Sequence, residues 1–100
     1  MFIAIVDFDT ATTERPTALG YLDAEHDQVR AMPGNLAFRV YAGREDDHRI
    51  TIVHEWQDQP SFDRYLASDS FARFGGLLRP MMSGSPVSRR FQAQLLDTVA

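Results

Sequence analysis

Residues Phe2 to Phe8 run without a polar break until Asp7, with Phe2, Ala4 and Val6 on one side and Ile3 and Ile5 on the other. This predicts a strand buried on both faces, stopped by the turn-prone stretch Asp9 to Thr13. Thr13 to Pro16 then reads as a helix start, since threonine can cap and proline is tolerated in the first turn. Leu19, Leu22, His26 and Val29 recur at helical spacing within a sector of about 80°, and Pro33-Gly34 ends the helix. Leu36 to Tyr41 alternates as a second strand, Gly43 to Arg49 is a polar turn, and Ile50 to Trp56 is a third strand, the two forming a hairpin. Asp58 to Ser61 offers caps for a helix carrying Phe62, Tyr65 and Leu66. Ser68 to Ser70 interrupts it, and a short third helix with Phe71, Phe74, Leu77 and Leu78 follows, weakened by Gly75-Gly76. Pro80 to Pro86 reads as loop and Val87 to Leu96 as a fourth strand.

The predicted order is β-α-β-β-α-β with an extra short helix, an α+β, ferredoxin-like pattern built on a four-stranded antiparallel sheet. One hundred residues suit one domain, residues 1–100, with 1–96 as its core and 97–100 as a loose tail. Three strands are apolar on both faces, yet two or three short helices cover only one face of such a sheet. The other face calls for a second copy packed sheet to sheet, so a homodimer is expected.

Composition narrows the function classes. Fourteen acidic against ten basic residues give a formal charge of −4, and the arginines are scattered, so no nucleic-acid partner is expected. Without cysteine there is no disulfide, thiolate nucleophile or Cys-ligated metal. The start MFIAIVDFD lacks a basic region and a long apolar run, so neither a signal peptide nor a membrane partner is expected and the protein is expected in the cytoplasm. The histidines show no ligand spacing, and no Gly-rich phosphate loop, serine elbow or flavin signature occurs, which is compatible with chemistry that uses no cofactor.

The segment Met32-Pro33-Gly34-Asn35-Leu36, the His-Glu-Trp ending of Ile50 to Trp56, and FDRYLASDSF from Phe62 to Phe71 resemble the antibiotic biosynthesis monooxygenase family over nearly the whole chain. The resemblance implies a dimeric α/β barrel of two ferredoxin-like halves. It also implies activities known among members: cofactor-independent oxygenation of anthrones and quinols, and haem degradation. Many members carry histidine at the position of Tyr65 and Pro-His where this chain has Asp69-Ser70, and several place an asparagine on the strand where Ile52 and Val53 stand. Haem ligation from the second helix is therefore not expected.

His26, on the expected apolar face of the first helix, is placed between helix and sheet, where a buried imidazole can be tuned toward a general base. A core histidine satisfied by one hydrogen bond explains it equally well. His54 and Trp56 share one side of the third strand, opposite Glu55. If that side faces the helices, they join His26 around a cavity, and the indole can stack on a flat substrate. The plainer readings are a core anchor for Trp56 and a dimer-seam residue for His54. Phe62, Tyr65, Phe71 and Phe74 are either plain core or the aromatic wall of a substrate pocket. Gly75-Gly76 with the Pro80 to Pro86 loop either forms a lid or ends a helix. His48 lies in a charged turn and reads as solvated. The expected function is a cofactor-independent monooxygenase of a small aromatic, anthrone-like or quinol-like, using molecular oxygen, with His26 or His54 as base and Trp56 positioning the substrate. The alternative is a non-redox binding, cyclase or isomerase-type accessory protein of the same fold, and haem degradation ranks behind both.

Overall fold

The alternation at the N-terminus becomes strand β1 (Phe2–Asp9) in the computed structural model, which describes residues 1–100. After it come α1 (Arg15–Arg30), β2 (Asn35–Ala42), β3 (Arg49–Trp56), α2 (Gln59–Leu66), α3 (Asp69–Leu78), a 3-10 turn at Arg79–Met81, and β4 (Val87–Gln92). The four strands form one antiparallel sheet in the order β2-β3-β1-β4, the ferredoxin-like arrangement that the element order predicts.

Register decides what faces the helices. Phe2, Ala4, Val6 and Phe8 lie opposite Trp56, His54, Ile52 and Ile50, so these eight side chains share one face. All but Val6 are buried there, under Leu22 and Val29 of α1, Phe62 and Tyr65 of α2, and Phe74 and Leu78 of α3. The other face mixes Ile3, Ile5, Val53 and Phe91 with ion pairs of Arg39 to Glu55, Arg49 to Asp9 and Arg89 to Asp7. No residue of that face belongs to the buried cluster. It is therefore less uniformly apolar than the strand patterns suggest.

The helix starts follow from capping. Asp58 accepts the Ser61 backbone N–H at 2.9 Å at the head of α2, and Ser68 accepts the Phe71 N–H at 3.1 Å at the head of α3. Thr13 does not cap α1. That helix starts from a backbone turn in which the Ala11 carbonyl accepts from Glu14 and Arg15. Arg15 then donates to the Gly43 and Asp46 carbonyls, both at 3.0 Å, which ties the β2–β3 turn to the start of α1.

Three further expectations are corrected. The buried stripe of α1 is Ala18, Leu22 and Val29, flanked by half-buried Leu19 and Glu25, so its centre is rotated by about 40° at 100° per residue from the predicted stripe and His26 falls outside it. Gly75 and Gly76 lie inside α3 and do not end it, because the helix runs on to Leu78. β4 stops at Gln92 and not Leu96 because β1 offers no partner beyond Phe2; one more pair, Met1 with Ala93, closes the ladder at 2.7 Å.

Candidate functional site

A cavity of about 200 Å³ lies between the helix-facing side of the sheet and α2 and α3. Its floor is Val6, Phe8, Ile52 and His54, and its aromatic wall is Phe62, Tyr65, Phe71 and Phe74. The segment after α3 forms the remaining side with Met82, Pro86, Ser88 and Arg90. That segment is held by a bridge between Thr10 and Met82 and by the Ser83 N–H donating to the Asp9 carbonyl at 2.8 Å. The turn at Gly34 fixes the opposite end. Its φ is +84°, a Cβ there would overlap the Ser61 side chain, and its carbonyl accepts from the Gln57 N–H at 2.7 Å, so β2 and the β3–α2 junction lock together.

His54 is 3% exposed, and burial, aided by the nearby Arg90 guanidinium, pushes its pKa down to about 4. The ring is therefore neutral at pH 7. Trp56, two residues on and on the same face, donates its indole N–H to His54 Nδ1 at 2.9 Å. Indole nitrogen can only donate, so Nδ1 carries the lone pair and the ring proton sits on Nε2. Nε2 has no partner in the protein and is not sealed from solvent, so it is left for the cavity that His54 lines. The side chain thus offers the cavity an N–H donor, and its one basic nitrogen is occupied.

The structure separates the three residues expected to act together. His54 lines the cavity, whereas Trp56 is fully buried behind it, stacked on Tyr65 with ring centroids 5.2 Å apart. Trp56 holds His54 and does not reach the space where a substrate would lie. His26 lies outside the cavity: its side chain is 46% exposed, Nδ1 is 3.0 Å from Asp27 Oδ1, and its ring meets that of Phe38 in a T-shaped pair with centroids 6.2 Å apart. The rotation of α1 puts Glu25, not His26, on the inner stripe. Phe62, Tyr65, Phe71 and Phe74 all line the cavity, where burial, with Glu25 adding, keeps the Tyr65 hydroxyl protonated well above its usual range.

Arg90 and Arg79 were not among the expected site residues. The signal for Arg90 was present: adjacent arginines in a strand point to opposite faces, so one of Arg89 and Arg90 had to face the helices. No group of three or more His, Cys, Asp or Glu side chains is placed to hold a metal ion, and no helix is long and apolar enough to cross a membrane.

Known structures share this fold. A protein of Nitrosomonas europaea with the provisional name antibiotic biosynthesis monooxygenase is 14% identical, with 95% of this chain and 100% of that chain covered and a TM-score of 0.89. A Deinococcus radiodurans protein with the same provisional name is 13% identical over 100% and 99% of the two chains, with a TM-score of 0.90. A Mycobacterium tuberculosis protein is 14% identical over 99% and 98%, with a TM-score of 0.86. At such identities the likeness is one of fold. No curated protein matches the chain. Sequence adds what fold similarity leaves open: the family pattern described as antibiotic biosynthesis monooxygenase matches residues 1–76, from β1 through the aromatic wall and into α3, and the chain belongs to that family.

Proposed function

We propose that the chain is a cofactor-independent monooxygenase of a small, electron-rich aromatic, with molecular oxygen as co-substrate, working as a cytoplasmic homodimer joined through the open sheet face. The observation that supports this most is the aromatic cavity with the Nε2–H of His54 at its floor. A volume of about 200 Å³ is below the roughly 300–1,000 Å³ of sites for drug-sized ligands, which favours one or two rings over a three-ring anthrone. Ionisation gives an aromatic anion whose oxygen receives the His54 N–H. The anion passes one electron to O₂, and the substrate radical and superoxide combine through a new C–O bond. The peroxide anion so formed takes back a proton from solvent, and the hydroperoxide loses water with the hydrogen of the carbon that bears it to leave a carbonyl, so one oxygen atom enters the product and the other leaves as water.

In this reading His54 acts as a donor to the developing oxyanion, a role for which a neutral, oriented imidazole is suited. It does not act as the base, because Nδ1 is engaged, and His26 stands outside. The proton leaves to solvent at the open side beside Ser88 and Arg90. The test is oxygen uptake by metal-free protein offered hydroquinones and anthrones. Turnover above autoxidation, reduced by His54→Leu, supports the reading, and background uptake with every compound refutes it. Sedimentation at micromolar concentration tests the dimer, and single subunits alone refute that part. A second reading, binding or isomerisation without oxygenation, is favoured by the lack of a free base in the cavity. Tight aromatic binding with background oxygen uptake selects it.

A further inference from the structure

The charge around the cavity is one-sided. Among its seventeen lining residues Arg79 and Arg90 carry positive charge, and no aspartate or glutamate accompanies them. Elsewhere on the sheet arginines are matched: Arg39 meets Glu55 at 2.9 Å, Arg49 meets Asp9 at 2.6 Å, and Arg89 meets Asp7 at 3.6 Å. Neither cavity arginine has a carboxylate partner. Arg90 makes a single hydrogen bond, from Nε to Ser88 Oγ at 3.3 Å, and its guanidinium lies over the Phe62 ring at 4.9 Å from the centroid. The Phe62 ring, which also stacks on Phe2 at 4.8 Å, is 5.5 Å from that of His54, so the guanidinium and the imidazole border the same aromatic side chain.

With Nε turned toward Ser88, the two terminal nitrogens of Arg90 remain, and this fork matches the two oxygens of a carboxylate. We propose that the cavity selects an aromatic carboxylate of one or two rings, its carboxylate received by Arg90 and its ring held against the Phe71 and Phe74 side of the wall. This deepens the oxygenase reading, since it concerns the same cavity, but it specifies what enters and not what happens next. An apolar chamber with unmatched cations at its rim gives a neutral aromatic only the wall, whereas an aromatic anion gains wall and cation together.

The test compares 2-naphthoate with naphthalene-2-carboxamide, which share shape and differ in charge, by calorimetric titration of the wild-type protein, Arg90→Gln and Arg79→Gln. The wild type is expected to bind the naphthoate about tenfold more tightly or better, the scale of a charge-assisted hydrogen bond. Arg90→Gln is expected to remove most of that preference, naphthoate affinity falling by more than any change in carboxamide affinity, and an unchanged urea midpoint shows that the variant is folded. Equal wild-type affinities, no binding of either compound, or a preference that survives Arg90→Gln and falls only in Arg79→Gln would each overturn the assignment. Oxygen uptake is not read in this experiment. The anion preference can therefore stand where the oxygenase reading fails, and fail where it stands.

Discussion

Lowering the pH should loosen this fold through one side chain. His54 is neutral in the native state with a pKa of about 4, against 6.5 for the free imidazole, because the sheet and α2 strip it of water and Arg90 disfavours a second cation. The folded value is the lower one, so the unfolded chain takes up the proton first. The stability due to this group is fully present above about pH 6.5 and is lost as the pH falls toward about 4. Linkage puts the loss at about 2 kcal/mol between pH 7.5 and pH 5, and about 3 kcal/mol at the acid limit. For a domain of this size, 2 kcal/mol is a substantial fraction of the roughly 5–15 kcal/mol typical of folded proteins. The assay is urea denaturation at half-unit pH intervals, followed by the fluorescence of Trp56, the single tryptophan. His54→Gln, which keeps an acceptor for the indole N–H but does not titrate, supplies the comparison. A wild-type curve that is flat over this range, or a His54→Gln curve with the same slope, would refute the reasoning.

Two other substitutions probe the frame around His54. Trp56→Phe leaves Nδ1 without its donor and should cost about 2–4 kcal/mol, from the unsatisfied nitrogen and the lost packing together, lowering the melting temperature by roughly 10 °C or more. Nitrogen NMR of the ring should then show the Nε2–H tautomer losing its dominance, and an unchanged tautomer would mean that the indole does not set it. Gly34→Ala forces a Cβ into a positive-φ position already filled by Ser61 and should cost about 2 kcal/mol or more; an unchanged urea midpoint would show that the turn can relax.

The sheet was legible because burial repeats every second residue in β1 and β3, and the face shared by His54 and Trp56 follows from that alternation. The α1 stripe was harder to read. His26 looks like core by type, whereas Ala18 and Glu25 do not, and Leu19 packs on the core only at the margin of the stripe. The end of β4 was hidden for a different reason: Val87 to Leu96 has the composition of a longer strand, but its length is set by where β1 starts. Arg90 does not stand out in the sequence because a charged residue on an edge strand ordinarily faces solvent, and here the helix layer leaves that part of the face uncovered. The indole-to-imidazole bond was not visible either, since the i, i+2 spacing places the two rings on one face without stating which atom meets which.

That bond makes the chemistry of the cavity a consequence of strand register. Ile50, Ile52, His54 and Trp56 face the helices because β3 pairs with β1 so that Ala4 lies opposite His54 and Phe2 opposite Trp56. A slip of one residue would bring Thr51, Val53 and Glu55 inward and expose an indole, so apolar burial strongly specifies the register. The energy that sets the register also delivers the donor, because the residue that most needs burial is the one that fixes the ring proton of its neighbour. A general base would need a free lone pair, hence a different second partner for His54 or a titratable group on α2. In this chain the titratable residue of α2 that looks inward is Tyr65, whose hydroxyl stays protonated. A cavity framed by a neutral imidazole, a protonated phenol and two unmatched guanidinium groups presents donors and positive charge but no free base. On the proposed reading, acidity of the bound molecule, and not basicity of the protein, starts the reaction.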